Sequence, residues 1–152
     1  MIVSMTLAAL VRACAPAVAP NTELAVIQVE SGGKPWTIHD NTAHRSYVLS
    51  SHEAAVATAD ALIRQSHNLD LGLTQINTMH LRALALSVPQ ALDPCLNVWA
   101  GSLVLKRAYA AAKARYGTAN DALFHAFEAY NSGRLDAAPR YASAVWHAGA
   151  LQ

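Results

Sequence analysis

The segment that most constrains this fold is a short helix-like run that ends in Glu30. Apolar side chains stand three, four and six residues before Glu30, which gives the helix an apolar face that also carries the carboxylate. A Ser-Gly-Gly sequence follows at once, and the Lys-Pro pair after it prevents the helix from resuming. A carboxylate in this position is either satisfied by nearby backbone groups or kept protonated for acid catalysis. On this segment alone, both interpretations of Glu30 are open.

The composition favours a helical domain with a substantial core. Of the 152 residues, 53% are hydrophobic and 14% are charged, so the chain must bury much of its surface. Alanine is frequent and aromatic residues make up only 7%, which favours packed helices over an extended sheet. The formal net charge of +1 does not indicate a nucleic-acid partner. We therefore predict one mainly α-helical or α+β domain over residues 1–152 that binds no nucleic acid.

The first residues admit two interpretations. Residues 1–13 are largely apolar, as expected for a first helix or for the remnant of a secretory signal. A signal peptide carries basic residues ahead of its apolar stretch, whereas Arg12 follows it, so no signal peptide is evident. The stretch is also too short to cross a bilayer. We predict that residues 1–13 form the first helix.

Capping residues and helix breakers predict the remaining elements. Asn21 or Thr22 is expected to cap the helix that ends near Glu30, and Ser50 with Glu53 matches a capping box. Residues 36–50 are predicted to form a loop or short hairpin, and residues 68–77 a short extended piece. Further helices are predicted over about 52–65, 78–86, 94–116, 121–130 and 139–148.

The two cysteines and seven histidines suggest no metal site. Cys14 and Cys95 are 81 residues apart and form no Cys-x-x-Cys pair, so they are either one disulfide or two buried thiols. The histidines show no His-Glu-x-x-His or other compact ligand spacing. We predict no metal and no cofactor.

Three short motifs occur in a fixed order with helices between them. They are Glu30-Ser31-Gly32, Gly72-Leu73-Thr74-Gln75-Ile76-Asn77 and Ala129-Tyr130-Asn131-Ser132-Gly133. Together they resemble the motifs of the soluble lytic transglycosylase family, whose fold is similar to goose-type lysozyme. The resemblance implies a mainly α, lysozyme-like domain with a short β element around the Gly-Leu-x-Gln stretch.

A narrower resemblance covers nearly the whole chain. The segments Cys14–Pro20, Ile38–Thr42 and Leu69–Leu73, together with Pro94-Cys95, are similar to the transglycosylase component of type IV secretion systems. This resemblance implies a periplasmic location, a Cys14–Cys95 disulfide and an insertion of loop and helix at residues 34–70. It further suggests peptidoglycan glycan strands and type IV secretion components as partners. We expect a monomer.

The resemblance implies a reaction and its residues. Glu30 is the expected catalytic acid and base in cleaving the bond between N-acetylmuramic acid and N-acetylglucosamine, with closure of a 1,6-anhydro ring. Tyr130 is expected to hydrogen-bond and position this acid. Asn131 is expected to support the same corner of the cleft. The expected substrate-binding residues are Ser31, Gly72, Gln75, Asn77, Tyr130, Asn131 and Tyr141.

Several of these residues also have a structural interpretation. Ser31 is a candidate to bond Glu30 or the substrate, or merely to cap its helix, and Asn77 competes as a helix cap. Gly72 is expected to let the backbone approach the glycan closely. Tyr141 is expected either to line the cleft or to pack in the core, and Trp36 is the tryptophan best placed to stack on a sugar. The polar residue expected upstream of Gly72 is Ser66, Asn68 or Asp70.

Three other functions fit the same sequence. A hydrolytic lysozyme on this fold needs a second carboxylate or polar group to hold water opposite Glu30, and Asp70 and Glu53 are the candidates. A non-catalytic, glycan-binding assembly protein would keep the cleft without using the acid. An unrelated helical interaction module would scatter Glu30, Gln75 and Tyr130 over different faces.

Overall fold

A computed structural model describes residues 5–150 of the chain. Within this range the chain forms eight α-helices, one short 3-10 helix and four strands. The prediction of a mainly α fold with a small β element is confirmed. The helices are α1 Leu7–Cys14, α2 Pro20–Ser31, α3 His52–Arg64, α4 Leu81–Leu84, α5 Val88–Ala91, α6 Pro94–Tyr116, α7 Ala119–Ser132 and α8 Pro139–Ala150. The strands are β1 Thr37–Asp40, β2 Arg45–Val48, β3 Leu69–Leu71 and β4 Ile76–Asn77, with the 3-10 helix at Thr78–His80.

Helix starts differ from the prediction where a different residue supplies the cap. The first helix begins at Leu7, because the Thr6 side chain accepts a hydrogen bond from the Ala9 amide. Residues 1–4, which the prediction included in this helix, lie outside the described range. Helix α2 begins at Pro20, since proline lacks the N–H that the first turn leaves unbonded. Ser51, and not Ser50, caps α3 through the Ala54 amide.

The region predicted as one helix over 78–86 is divided. Asn77 caps the 3-10 helix, α4 adds a single turn, and Ala85 then adopts a left-handed conformation with φ 55°. Helix α5 starts anew after Ser87, whose capping box with Gln90 the prediction missed. The last helix extends from Pro139 to Ala150, two residues beyond its predicted end.

Residues 36–50, predicted as a loop or short hairpin, form a hairpin that joins the predicted β element and makes it larger. Strands β1 and β2 pair with each other, and β1 also pairs with β3, so the antiparallel sheet has the order β2-β1-β3-β4. Ile38 stands opposite Leu71, which in turn stands opposite Ile76. The Gly-Leu-Thr-Gln stretch is thus the turn between β3 and the edge strand β4.

The core lies on both sides of this turn. One cluster packs the sheet against α3 and includes Ile38, Leu69 and Leu71. Another joins α2, α7 and α8. No helix within residues 5–150 is long and apolar enough to cross a membrane.

The predicted disulfide between Cys14 and Cys95 is confirmed. Its Cα atoms are 5.4 Å apart, and it ties the end of α1 to the first turn of α6. Cys14 belongs to a buried cluster that also contains Val11 and Val98. The bridge therefore holds α1 against the start of the longest helix.

Glu23 is a buried acid that the sequence did not single out. It is 1% exposed, and neither carboxylate oxygen has a hydrogen-bond partner within the described residues. Burial raises its pKa from 4.5 to about 8. Glu23 is therefore protonated near neutral pH, and its ionisation opposes folding.

Replacing both Cys14 and Cys95 by serine should lower the free energy of unfolding by about 4–5 kcal/mol, because the loop that the bridge closes spans 81 residues. Urea unfolding followed by circular dichroism measures the difference. Reduced wild-type protein should match the double variant; equal stability of the oxidised wild type and the variant would contradict the prediction.

Glu23→Gln should make stability less dependent on pH. The folded-state pKa lies above the unfolded-state value, so the folded protein loses stability as pH rises from about 4.5 to about 8. In Glu23→Gln the free energy of unfolding should therefore fall less steeply with pH over that range. The slopes of the two proteins should differ by up to about 1.4 kcal/mol per pH unit. Urea unfolding at pH 5 to 8 provides the measurement, with the exposed Glu53→Gln as control. If the free energies of unfolding of the wild type and Glu23→Gln changed with pH in parallel, the prediction would be refuted.

Candidate active site

Glu30 lies at the end of α2 on the wall of a cleft of about 730 Å³. Gly32 ends the helix in a left-handed conformation with φ 60°, so the chain turns away directly after the acid. The other walls come from β3 and β4, from the middle of α6 and from the end of α7. Six of the lining residues are Glu30, Asp70, Gln75, Asn77, Tyr130 and Asn131. The three sequence motifs therefore meet in one place.

Three influences together raise the pKa of the Glu30 carboxyl from 4.5 to about 7. Burial raises it most, a hydrogen bond from Tyr141 lowers it, and the negative charge of Asp70 raises it further. Near neutral pH the group is thus present in both protonation states. A group of this kind can donate a proton and then take one back.

Tyr141 is the hydrogen-bond partner of the acid. Its hydroxyl donates to Glu30 Oε1 from the first turn of α8, and the residue is not part of the cleft lining. Burial first, and then the charge of Glu30, raise the pKa of Tyr141, so its hydroxyl keeps its proton. Of its two expected positions, Tyr141 takes the one in the core, where its ring packs against the cluster that joins α2, α7 and α8 while its hydroxyl bonds the acid.

Tyr130 lines the cleft, but it does not bond the acid as predicted. Its hydroxyl donates to the backbone carbonyl of Thr74 at 2.7 Å. Burial and the charges of Glu30 and Glu23 raise the pKa of Tyr130. Tyr130 therefore fixes the Thr74 turn beside Glu30, while Asn131 lies exposed at the edge of the cleft.

Gln75 and Asn77 both line the cleft. Gln75 has φ 53°, and its Nε2 donates to the carbonyls of Gly72 and Thr37 at 2.8 and 3.2 Å. Asn77 caps the 3-10 helix through the Met79 amide and also bonds the side chains of Asn68 and Asp70. Asn77 thus fills the competing role of a cap and still faces the cleft.

Gly72 has a different role from the one predicted. It is buried with φ 80°, and an added Cβ would lie 2.3 Å from Asn97 Nδ2. Glycine is required here because a buried side chain fills the space, and not because a glycan approaches the backbone.

Asn97 holds the Gly-Leu-Thr-Gln turn in place, and sequence reasoning missed it. The side chain is fully buried in α6. Its Nδ2 donates to Leu71 and Ala91 carbonyls at 2.7 Å, and its Oδ1 accepts from the Thr74 amide at 2.8 Å. Its one signal in the sequence is an amide among apolar residues at the start of a long helix.

Ser31 also acts within the fold. It is buried outside the cleft lining, and its hydroxyl lies 2.8 Å from the Leu73 carbonyl and 3.2 Å from the Ile27 carbonyl. The expectation that Ser31 bonds Glu30 or the substrate is therefore wrong. The residue links α2 to the turn that Asn97 holds.

A polar network forms the wall provided by the insertion. Asp70 accepts from Asn41 Nδ2 at 2.8 Å and from Asn77 Nδ2 at 2.7 Å, and Asn68 bonds both asparagines. Of the three candidates upstream of Gly72, Asn68 and Asp70 line the cleft and Ser66 does not. Asn41 lies in the Ile38–Thr42 segment that carries the narrower resemblance, but it was not singled out as a site residue.

Two further expectations concern residues outside the cleft. Glu53 is exposed on α3 and does not line it, so Asp70 is the carboxylate that shares the cleft with Glu30. Trp36 packs against the core cluster of the sheet and is also absent from the lining. The stacking of Trp36 on a sugar stays a prediction.

Comparison with known proteins gives one family match and several related proteins. Residues 8–147 match the family described as Transglycosylase SLT domain. Protein virB1 of Agrobacterium fabrum is 36% identical over 125 residues, which cover 80% of this chain and 49% of that protein. Type IV secretion system protein virB1 of Brucella abortus is 36% identical over 127 residues, covering 83% and 53%. Invasion protein IagB of Salmonella typhimurium is 32% identical over 108 residues, covering 66% and 62%.

The chain spans about half the length of these virB1 proteins. No solved structure matches it.

Tyr141→Phe should raise the Glu30 pKa above its value of about 7 by roughly one unit, because the hydrogen bond that favours the carboxylate is lost. Titration of the Glu30 carboxyl carbon by NMR measures the shift. Tyr109→Phe, on α6 and outside the cleft lining, is the matched control. An unchanged or lowered Glu30 midpoint in Tyr141→Phe would contradict the assigned contact.

Proposed function

The chain belongs to the transglycosylase SLT domain family, and we propose that it is a lytic transglycosylase that cleaves peptidoglycan glycan strands. The observation that carries the proposal is the protonatable Glu30, hydrogen-bonded by Tyr141 and open to a cleft lined by amide side chains. Amides pair well with sugar hydroxyl and acetamido groups. The cleft volume of about 730 Å³ suits part of an extended glycan.

Glu30 performs both proton transfers in this reaction. Protonated Glu30 gives its proton to the oxygen that links N-acetylmuramic acid to N-acetylglucosamine, and the bond from that oxygen to the muramic C1 breaks. The Tyr141 hydroxyl stabilises the carboxylate that remains. The muramic 6-hydroxyl then attacks C1 and returns its proton to Glu30. The product is a 1,6-anhydro ring, no water is consumed, and Glu30 ends in its starting state.

Hydrolysis is the second candidate, and the position of Asp70 favours it. Asp70 lines the same cleft, and each of its oxygens accepts one amide hydrogen bond, which leaves lone pairs for a water molecule. A water held there would attack C1 in place of the 6-hydroxyl. Reducing ends would then replace anhydro ends.

The biological setting follows from the relatives. Two of them are named virB1, one as a type IV secretion system protein, and the disulfide fits an oxidising compartment. We place the enzyme in the periplasm, where it opens the wall locally for a type IV secretion or conjugation apparatus. It acts as a monomer with type IV secretion components as its protein partners.

Glu30→Gln should lower the rate of peptidoglycan cleavage by about 10²–10⁴-fold, because the acid that protonates the leaving oxygen is lost. Release of soluble muropeptides from purified peptidoglycan measures the rate. Glu53→Gln, an exposed carboxylate outside the cleft, should retain the wild-type rate.

Mass spectrometry of the same products separates the candidates. Anhydro ends are lighter than reducing ends by one water. If the wild type produced reducing ends, the reaction would be hydrolysis and not transglycosylation. Full activity of folded Glu30→Gln would exclude catalysis by Glu30, and binding without cleavage by the wild type would identify a glycan-binding assembly protein.

A further inference from the structure

Another buried carboxylate lies at the junction of α7 and α8. Glu128 is 3% exposed, two residues before Tyr130, and the reaction described above makes no use of it. The segment 133–138 connects the two helices. We call Glu128, His125 and Ser132, with the loop that they bind, the α7–α8 clamp.

Both oxygens of Glu128 are occupied. Oε2 accepts the Ala138 amide at 2.9 Å, and Oε1 lies 2.9 Å from His125 Nδ1. The same Nδ1 lies 2.7 Å from the Leu135 carbonyl, which can only accept, so Nδ1 carries the proton and donates. One carboxylate thus binds the end of the loop directly and its middle through His125.

Three further contacts support this arrangement. The Ser132 hydroxyl lies 2.7 Å from the Glu128 carbonyl and accepts the Arg134 amide at 3.1 Å. The His125 ring stacks on Tyr116 with a centroid separation of 3.7 Å. The loop is therefore held at its start, its middle and its end by side chains of α7.

The clamp determines where α8 begins. Ala138 directly precedes Pro139, the first residue of α8, and its carbonyl accepts the Ala142 amide. Tyr141 is the third residue of this helix, and its hydroxyl reaches Glu30. The distance along the chain from the clamped amide to the tyrosine is only three residues.

We propose that Glu128 is a positioning residue: it fixes the first turn of α8 and thereby holds the Tyr141 hydroxyl on Glu30. This inference rests on the proposed role of Glu30 as the catalytic acid. Glu128 does not contact the substrate in this scheme. Its effect reaches the reaction only through Tyr141.

The expected direction follows from the groups around Glu30. Tyr141 lowers the pKa of Glu30, whereas burial and the charge of Asp70 raise it. Tyr130 and Glu23 are the other titratable groups coupled to this region, and both are neutral near pH 7. If the Tyr141 hydroxyl no longer bonds Glu30, nothing opposes the effects of burial and Asp70, so the Glu30 pKa increases.

The test compares Glu128→Ala and Glu128→Gln with the wild type. Glu128→Ala should raise the NMR titration midpoint of Glu30 by about 0.5–1 unit. It should also move the high-pH limb of kcat/KM upward and lower kcat about tenfold, with KM little changed. Glu128→Gln keeps an acceptor for the Ala138 amide and should show the same changes at smaller size.

Two controls separate positioning from general damage. Asp136→Asn removes an exposed carboxylate from the same loop without touching Ala138 or His125, and it should behave as wild type. In a Tyr141→Phe background, Glu128→Ala should add no further shift to the Glu30 midpoint, because the contact through which it acts is already absent.

Either of two results would overturn the proposal. One is a folded Glu128→Ala, or Glu128→Gln if the alanine variant does not fold, with the wild-type Glu30 midpoint. The other is a shift that persists in the Tyr141→Phe background. A wild-type protein that cleaves no peptidoglycan would refute the proposed function instead, while the NMR midpoints would still decide whether Glu128 sets the Tyr141 contact.

Discussion

The cleft depends on one buried amide. Asn97 reaches from α6 to the turn between β3 and β4, where it bonds two backbone groups and the Thr74 hydroxyl, and it also bonds the Ala91 carbonyl of α5. A buried turn without such partners would leave polar groups desolvated, at about 1–3 kcal/mol each. Gly72 and Gly101 make room for this packing, since an added Cβ would lie 2.3 Å from Asn97 at the first and 2.6 Å from Thr74 at the second. As a result Gln75 is positioned in the cleft wall and the Thr74 carbonyl is positioned to accept the Tyr130 hydroxyl.

The acid itself results from opposing influences on a single carboxyl group. Burial and Asp70 favour its neutral form, and Tyr141 favours its charged form. If burial acted alone, the carboxylate left after proton donation would have no stabilising donor. If the hydrogen bond dominated, the proton would be lost before the reaction. The amide network around Asp70 and the helix that carries Tyr141 are therefore parts of the same balance, although they lie in different halves of the chain.

The sequence predicted what local signals determine. Helix α6 was placed correctly at both ends because Asp93, Pro94 and Gly117 are strong boundary residues. The three motifs predicted the cleft walls, since all three contribute residues to it. The exchange of roles between Tyr130 and Tyr141 was not predictable, because both are tyrosines near helix ends and only the packing of α8 on α2 decides which reaches Glu30. Gly72 was misread for the same reason: the Asn97 side chain that fills its space comes from 25 residues further along.

The contact between Tyr141 and Glu30 joins positions 111 residues apart. Such a contact requires closure of a long loop, whose entropic cost grows with loop length and slows folding. The acid is thus synthesised early, but its hydroxyl donor emerges from the ribosome among the last elements of this segment. Any chain that stops before the eighth helix has Glu30 without this donor. The order of synthesis therefore means that the chain contains the acid well before it contains the complete site.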